Sequence, residues 1–306
     1  MGDYIRNKIS AVICVKDRSK SRIKRCINSF KKSSLINEII VVDYGSAKPV
    51  KLKGNKIKLI RTENKLWNKS HALNLGIKQA KSEYIMTVDC DMILHPLTLT
   101  KLKPFLERNN FIYDSNVLRI KITDLNKDFN QMVKKSTKWF DSTRNWVYNR
   151  AFGGIQVFSK EFINNVNGYY EEVGYGWGYI DNILYEQARI MKFNTINLGL
   201  PIIHQEHKNK KEDNLPSELK RTFELMRYEK THFMDKRYAE GQVVNPTKWG
   251  NKYPNSPYFD KWIKNTYDKL NESEVKRIQR VEKMKKAIKQ GKKEIKIDGQ
   301  IFKIFR

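Results

Sequence analysis

The stretch SEYIMTVDCDM, residues 82 to 92, joins an apolar run to two aspartates. Residues Tyr84 to Val88 have the composition of a buried β-strand, and Asp89 and Asp91 follow directly. Because residues i and i+2 of an extended chain face the same way, both carboxylates point into one small volume. Such a pair is stable beside a divalent cation, with one carboxyl protonated, or in solvent. A cation site and an ordinary polar loop are both open at this point.

This strand belongs to an alternation of strands and helices. Apolar runs predict strands at residues 8–15, 38–43, 57–60 and 83–88, and helical spacing predicts helices at 21–30 and 70–80. The alternation predicts an α/β fold with a mainly parallel sheet and helices on its faces. Ligands of such sheets bind beyond the carboxyl ends of the strands. Charged residues follow all four strands and predict a crevice there: Lys16, Asp17, Arg18, Asp43, Arg61, Glu63, Asp89 and Asp91.

The middle of the chain offers a second set of polar candidates. Strands are predicted at 116–122 and 152–158, and an aromatic loop with four glycines spans 166–182. Asp181 lies at the end of this loop, before a predicted helix at 183–191, where it is either functional or an N-cap. Another short apolar run ends in His204 and His207.

The sequence becomes strongly basic from about residue 213, so we divide it into a domain of residues 1–212, with halves 1–100 and 101–212, and a region of residues 213–306. An amphipathic, lysine-rich helix is predicted at 272–290, and Asp298-Gly299 predicts a hairpin after it. This basic helical extension is expected to dock on an anionic membrane surface or on a second copy of the chain. Packing on the first domain remains the alternative.

Composition limits the class of protein. The 306 residues, 40% of them hydrophobic, suffice for a large core. A formal charge of +27 attracts polyanions, but no nucleic-acid-binding motif accompanies it. No long apolar segment or secretory leader is evident, so a cytoplasmic location is expected, with possible peripheral membrane contact. The three cysteines, Cys14, Cys26 and Cys90, are expected to be reduced and buried.

Several stretches together resemble a known family. SAVICVKDR, EIIVVDYGS, NKSHALNLGIKQA and SEYIMTVDCDM look like the nucleotide-sugar half of family-two glycosyltransferases of the GT-A fold. FGGIQVFSKEFINNVNGYYEEVGYGWGYIDN looks like the acceptor half of galactosyltransferases and chondroitin-polymerase-type enzymes. The resemblance covers roughly residues 8–207, and the order and spacing of the pieces make it specific. It implies a Rossmann-like GT-A domain.

The resemblance also implies roles for individual residues. In the donor site, Lys16, Asp17 and Arg18 would line the nucleotide, Asp43 would bind the uracil of a UDP-sugar, Lys69 and Asn74 would lie near the donor, and Asp89 would contact ribose or a metal-bound water. Asp91 would ligate Mn²⁺ or Mg²⁺ with His204, and His207 is an alternative ligand. Trp177 would wall the acceptor pocket, and Asp181 would be the general base.

One position departs from the family pattern. The family's acceptor loop carries a glutamate before the base, whereas this sequence has Ile180 there. The expected function is metal-dependent, inverting transfer of a hexose or N-acetylhexosamine from a UDP-sugar to a hydroxyl of a glycan, polysaccharide or glycoconjugate, as in polysaccharide biosynthesis. UDP-galactose and UDP-N-acetylgalactosamine are favoured donors. A basic nucleic-acid-binding protein and a catalytically inactive sugar-binding relative are the alternatives.

Overall fold

The computed structural model describes residues 4–63, 67–114, 117–121, 154–171, 180–200, 202–206, 249–250, 290, 294–297 and 300–303. The chain divides into two compact units, one of residues 1–211 and 235–255, the other of residues 212–234 and 256–306. Residues 235–255 thus belong to the first unit, although the sequence predicts one accessory region from residue 213 onward. No helix among the described residues is long and apolar enough to cross a membrane.

The described elements follow the predicted alternation of strands and helices. The strands are β1 (Ile5–Val15), β2 (Ile36–Tyr44), β3 (Ile57–Thr62), β4 (Ser82–Val88), β5 (Met92–Ile93), β6 (Asn110–Asp114), β7 (Val117–Lys121), β8 (Ile155–Ser159), β9 (Asn194–Asn197), β10 (Ile202–Glu206), β11 (Glu294–Ile297) and β12 (Gln300–Lys303). The α-helices are α1 (Lys20–Asn28), α2 (Lys69–Lys78), α3 (Thr98–Leu102), α4 (Lys160–Asn165) and α5 (Ile180–Ile190), and a 3₁₀ turn covers Lys103–Phe105.

A seven-stranded sheet in the order β3-β2-β1-β4-β8-β6-β9 forms the centre of the first unit. The pairs β1–β2, β1–β4, β2–β3 and β6–β9 are parallel, and β8 runs antiparallel to both β4 and β6. Strands in such a sheet are covered on both faces and are therefore apolar along most of their length. This arrangement confirms the predicted α/β fold with a mainly parallel sheet.

Helices α1 and α2 cover opposite faces of β1. Ile23 and Cys26 of α1 belong to the same buried cluster as Ile13 of β1. Helix α2 packs on the other face, where a Cβ at Gly76 would lie 2.5 Å from Cγ1 of Val12. Because neighbouring strand residues face opposite sides, Val12 and Ile13 separate the two helices. Only glycine permits the close contact between α2 and β1.

Aromatic side chains hold the second half of the sheet to its helices. The rings of Phe111 on β6 and Phe158 on β8 stack with centroids 5.8 Å apart. Both rings also contact Phe162 of α4 edge to face, and Tyr185 of α5 contacts Phe111. Aromatic pairs in these geometries stabilise a core beyond the area that they bury. They fix α4 and α5 against β6 and β8.

Two smaller sheets accompany the main one. The order β5-β10-β7 forms a three-stranded sheet, in which β10 is antiparallel to β5 and parallel to β7. Strands β11 and β12 pair antiparallel, with Ile297 opposite Gln300, which confirms the hairpin predicted at Asp298-Gly299. The predicted helix at 272–290 lies outside the described residues apart from residue 290.

Candidate active site

The two aspartates after β4 lie in the short connection between the main sheet and β5. Strand β4 ends at Val88 and β5 begins at Met92, so Asp89, Cys90 and Asp91 form the whole connection. The N–H of Met92 donates to the carbonyl of Asp89 over 3.0 Å and turns the chain. Cys90 is buried, whereas 33% of the Asp89 side chain and 13% of the Asp91 side chain are exposed. Both carboxylates therefore remain accessible at the carboxyl end of β4.

Asp91 lies beside the histidine predicted to share its metal. In the antiparallel pair β5–β10, His204 is opposite Met92. This register brings Nε2 of His204 to 3.6 Å from Oδ2 of Asp91. Two ligands that each lie about 2.1 Å from one ion can have this separation, and an oxygen with an imidazole nitrogen suits Mn²⁺. The donor set therefore fits the predicted cation.

No larger ligand cluster occurs in the described part of the chain. Among those residues, no three His, Cys, Asp or Glu side chains are grouped closely enough to hold a metal ion.

The three cysteines are free thiols and buried, as predicted. Burial raises the pKa of Cys26 and Cys90 well above the usual thiol value, and the nearby Asp91 raises both further. These thiols therefore stay protonated at neutral pH.

Gln205 connects the two predicted metal ligands to α1. The side chain of Gln205 is fully buried. Its backbone N–H donates to the carbonyl of Asp91 over 2.8 Å. Its side-chain amide donates to the carbonyl of Arg22 over 3.2 Å, and its side-chain oxygen accepts from Arg25 over 3.3 Å. These bonds join β10, α1 and the 89–91 connection, so the positions of Asp91 and His204 are set together.

Lys69, the first residue of α2, bridges two carboxylates from distant parts of the chain. Its Nζ lies 2.8 Å from Oδ1 of Asp89 and 3.3 Å from Oδ2 of Asp181. The helix begins there because the side chain of Asn68 caps it, accepting from the N–H of His71 over 2.9 Å. These two ion pairs place Asp181, the predicted base, in the same cleft as Asp89 and Asp91.

A single ammonium lies between two carboxylates in this cluster. Burial lowers the pKa of Lys69, but Asp181 and Asp89 outweigh it and hold that pKa well above its usual value. The pKa of Asp89 is raised to about 6, chiefly by burial. The charges of Asp181 and Asp91 also raise this pKa, and the ammonium of Lys69 lowers it. The ammonium therefore keeps its proton and offsets the repulsion between the carboxylates.

A buried hydrogen-bond network holds the first turn of α5 in place. The hydroxyl of Tyr169 lies 2.8 Å from Oγ1 of Thr87 and donates to Oε1 of Gln156 over 2.7 Å. The amide of Gln156 then donates to the backbone carbonyl of Asp181 over 2.9 Å. This network links β4, β8 and α5. The backbone of the predicted base is thereby fixed to the main sheet.

Asp43, at the end of β2, shapes the loop that follows. Its carboxylate accepts hydrogen bonds from the N–H of Ser46 over 3.1 Å and of Val50 over 3.0 Å, and it pairs with Arg61 at 2.6 Å. Burial disfavours its charge, but these donors outweigh burial and lower the pKa of Asp43. The residue has no exposed surface. In this structure Asp43 therefore holds the loop after β2, and its predicted uracil contact stays a prediction.

Lys16 to Arg18 occupy the loop after β1, as predicted. Nζ of Lys16 donates to the carbonyls of Tyr44 and Gly45, 3.1 and 2.9 Å away. Asp17 has a φ of 50° and accepts from the N–H of Ala47 over 2.8 Å, which ties this loop to the one after β2. Arg18 is half-buried. These contacts place the three residues at the carboxyl ends of β1 and β2, where the prediction that they line a nucleotide stays open.

Asn74 lies inside the fold and not at the cleft surface. It is fully buried, and its amide donates to the carbonyl of Tyr169 and to Oε1 of Glu171, both over 2.8 Å. Its side-chain oxygen accepts from the N–H of Tyr169 over 2.8 Å. Asn74 therefore holds the segment that precedes the predicted acceptor loop, and its predicted place near the donor stays a prediction.

Residues 249–250, although distant in sequence, contact the same segment that Asn74 holds. The N–H of Gly250 donates to Oε1 of Glu171 over 2.9 Å. The ammonium of Lys78 lies 3.7 Å from the ring centroid of Trp249. A Cβ at Gly168, whose φ is +78°, would lie 2.4 Å from that ring, so only glycine fits. Two segments far apart in sequence are thereby packed against the end of α2.

Three predictions on the acceptor side have different outcomes. Helix α5 begins at Ile180, so Asp181 lies inside the first turn and not at the N-cap. An acid in a first turn still interacts favourably with the helix dipole. Ile180 is buried in the core. Trp177 and His207 lie outside the described residues, and their predicted roles stay predictions.

Three residues that contact or support the site were not predicted from the sequence. Gln205 and Gln156 carry no motif, and no sequence signal could have singled them out. Arg22 had a usable signal, since it lies four residues before Cys26 and therefore falls on the buried face of α1. A positive charge on an apolar helix face is rare enough to mark a functional or structural site.

These residues define an α/β protein with an acidic and basic crevice at the carboxyl ends of its strands. The sequence pattern of Glycosyl transferase family 2 matches residues 10–163, which is half of the chain. The pattern described as the N-terminal domain of galactosyltransferase matches residues 137–207. The chain therefore belongs to glycosyl transferase family 2. No curated protein sequence matches it.

Solved structures share the fold at low sequence identity. GalNAc-T7 with UDP, GalNAc and Mn²⁺ matches with a TM-score of 0.52 and 15% identity, over 79% of this chain and 56% of that chain. The mannosyltransferase PcManGT from Pyrobaculum calidifontis, in complex with GDP-Man and Mn²⁺, matches with a TM-score of 0.48 and 15% identity, over 79% of this chain and 67% of that chain. S. aureus TarS 1-349 with UDP matches with a TM-score of 0.46 and 12% identity, over 98% and 97%.

The likeness to GalNAc-T7 extends the GT-A, Rossmann-like fold to this chain. The chain spans little more than half the length of the GalNAc-T7 chain. By its family the chain is a glycosyltransferase.

Proposed function

We propose that the protein is a metal-dependent, inverting glycosyltransferase that moves a hexose or N-acetylhexosamine from a UDP-sugar to a hydroxyl of a glycan or glycoconjugate. One observation carries this proposal. Lys69 joins Asp89 to Asp181 while Asp91 lies beside His204, so a cation site and a candidate base meet in one cleft. Neighbouring structures that contain Mn²⁺ with UDP or a nucleotide-sugar support it.

Asp91 and His204 are the residues that would hold the divalent cation. A carboxylate oxygen and an imidazole nitrogen suit Mn²⁺, and Mg²⁺ is the alternative. When bound, the ion would neutralise the charge that develops on the departing diphosphate. Asp89, which is joined to Lys69, would contact the ribose or an ordered water of the donor.

Asp181 is the candidate general base. Its carboxylate is 18% exposed, and its backbone is fixed through Gln156 to the main sheet. In the proposed step an acceptor hydroxyl forms a new bond to the anomeric carbon while the bond from that carbon to the diphosphate oxygen breaks. The hydroxyl proton passes to Asp181, and the bond electrons leave with UDP. A single displacement of this kind inverts the anomeric configuration.

Lys69 would serve both halves of the reaction. Its ammonium keeps two acidic side chains at hydrogen-bond distance and orients each of them. A positive charge between donor site and base also opposes the negative charge that builds up as the diphosphate departs. Ile180 is buried beside the base and provides no polar group for a sugar hydroxyl, which favours a donor or acceptor held by other contacts.

The deciding experiment is release of UDP from a panel of UDP-sugars, with Mn²⁺ and with EDTA, in the presence of oligosaccharide acceptors. The proposal expects release from one or two UDP-hexoses or UDP-N-acetylhexosamines that requires the metal and increases with acceptor. Tight UDP binding without any turnover across the panel would favour an inactive sugar-binding relative. Affinity for RNA or DNA with no UDP binding would overturn the proposal.

A further inference from the structure

Arg22 is a buried cation that has no counter-ion among the residues that the structure describes. It is 9% exposed, and its buried Nε has no hydrogen-bond partner within that part of the chain. Within the part of the chain that the structure describes, its guanidinium forms no ion pair, although Arg61, Arg108 and Arg189 each do. A buried charge is costly unless it is paired and hydrogen-bonded. Such an unsatisfied group in a folded protein indicates a missing partner.

The surroundings of Arg22 add positive charge. The first turn of α1 has no acidic residue, and the positive end of the helix dipole lies there. Burial lowers the pKa of Arg22, the nearby Asp91 raises it, and Arg18 and Arg25 lower it further. The Arg22 side chain therefore lies within electrostatic range of the predicted metal ligand and among other cations. In the function proposed above, the charge of Asp91 serves the metal and is not left for Arg22.

The hydrogen bonds of Gln205 that hold the predicted metal ligands also hold the backbone of Arg22. The backbone carbonyl of Arg22 accepts from the side chain of Gln205, whose N–H binds the carbonyl of Asp91. The thiol of Cys26, one turn further along α1, contacts the carbonyl of Asp89 at 3.5 Å. The first two turns of α1 are thus joined directly to the 89–91 connection. The backbone of Arg22 is therefore held next to the segment that carries Asp91.

We propose that Arg22 binds the diphosphate of the nucleotide-sugar donor, beside the cation held by Asp91 and His204. The inference rests on the proposed function and assigns to this site a binding residue on α1. A guanidinium can donate hydrogen bonds to two phosphate oxygens at once. A cation held by Asp91 and His204 does not provide such donors. As the bond to the sugar breaks, the charge on the departing diphosphate grows, and Arg22 stabilises that charge.

Calorimetric titration of Arg22→Met with UDP, pyrophosphate and uridine, all with Mn²⁺, tests this assignment. Methionine keeps the apolar stem and removes the charge. We expect affinity for UDP and for pyrophosphate to fall on the order of tenfold to a hundredfold, as for loss of a charged hydrogen bond. Uridine affinity should not change. Arg22→Lys should fall between the parent and Arg22→Met.

Lys24→Met is the matched control, because Lys24 is exposed on the same helix and the substitution changes the net charge equally. It should bind UDP like the parent, which separates a local contact from the general field of a chain of charge +27.

Equal UDP affinity of Arg22→Met and the parent would overturn the inference, and so would an equal loss for uridine and UDP, since that indicates a distorted site. Loss of the fold in both Arg22→Met and Arg22→Gln would also overturn it and make the residue structural. A parent that does not bind UDP with Mn²⁺ would instead refute the proposed function itself.

Discussion

Nζ of Lys69 lies 3.3 Å from Oδ2 of Asp181, although 112 residues separate the two along the chain. The same ammonium lies 2.8 Å from Oδ1 of Asp89. One side chain on α2 therefore connects the end of β4 to the first turn of α5. The two predicted halves of the first domain, residues 1–100 and 101–212, meet at this contact.

Lys69→Met should lower turnover by about tenfold to a hundredfold, because it leaves two neighbouring carboxylates without the charged donor that orients them. Lys69→Arg should retain more activity, since it keeps the charge. The measurement is the rate of UDP release at saturating donor. Lys58→Met, at an exposed lysine of β3, is the control for the change of net charge. Parental turnover in Lys69→Met would show that the bridge has no role in the reaction.

Asp181→Asn should reduce transfer by about a hundredfold or more while donor affinity stays close to parental. The amide has the shape of the carboxylate but does not accept the hydroxyl proton. Initial rates of transfer and calorimetric UDP affinity separate the two effects. Glu186→Gln on the same helix, where Glu186 pairs only with Arg189 among the described residues, serves as the control. A variant that keeps its rate would remove Asp181 from the mechanism.

Asp91→Ala and His204→Ala should each weaken Mn²⁺-dependent UDP binding by roughly a hundredfold. The double variant should lose little more than either single one, because residues that share one ion are not independent. Calorimetric titration of UDP with Mn²⁺ and with EDTA measures the metal-dependent part. Glu107→Gln, at an exposed acid, is the control. Additive losses in the double variant would indicate that the two residues do not hold a common ion.

Asn74→Ala should lower the free energy of unfolding by roughly 2 to 4 kcal/mol, because it removes two hydrogen bonds to the buried backbone of Tyr169. The folded fraction should bind UDP like the parent. Urea denaturation and calorimetry provide the two measurements, and Asn165→Ala, at an exposed position, is the control. Weaker UDP binding in a variant of normal stability would support the prediction that Asn74 contacts the donor.

Lys160 should make stability depend on pH in the alkaline range. Burial, with a contribution from Lys78, lowers its pKa to about 8, against 10.5 for an ordinary lysine. Its ammonium donates to the carbonyls of Ile77 and Ala80. Between pH 8 and 10.5 the unfolded chain binds the proton that the folded chain has released, so the stability that this residue contributes rises with pH.

The stability of the parent relative to Lys160→Met should therefore rise by at most about 3 kcal/mol across this range and stay flat below pH 8. Urea denaturation at a series of pH values measures it, with Lys101→Met as an exposed control. A difference between parent and Lys160→Met that falls with pH would show that the folded state holds the proton more tightly.

Local patterns sufficed to predict the elements of the fold. The apolar runs that became β1, β2 and β4 were each located within a few residues of their observed bounds, because a strand buried on both faces is apolar along most of its length. The edge strand β3 was located equally well although it is partly exposed. The alternation with α1 and α2 then required a parallel sheet. The Asp298-Gly299 turn similarly predicted the pairing of β11 with β12, since a two-residue turn fixes the register of its strands.

Tertiary structure alone decided which side chains face the cleft. Asp43 and Asn74 lie in stretches that resemble the family, yet both side chains are buried. Asp43 bonds the loop after β2, and Asn74 bonds Tyr169 and Glu171. A sequence shows residue types and spacing, but not which of several nearby donors a polar group will bind. The roles of such residues are set by packing that involves segments far away in the chain.

By itself the sequence determined an α/β chain of family-two type, with Asp89 and Asp91 at a strand end and Asp181 at the start of a helix. Only the tertiary structure decided that Lys69 joins Asp89 to Asp181 and that His204 lies 3.6 Å from Asp91. The physical reason is the range of the interactions. Hydrophobic periodicity reflects residues that are near each other along the chain. These contacts instead depend on the pairing of β5 with β10 and on the ion pair between α2 and α5, both of which join residues more than a hundred positions apart.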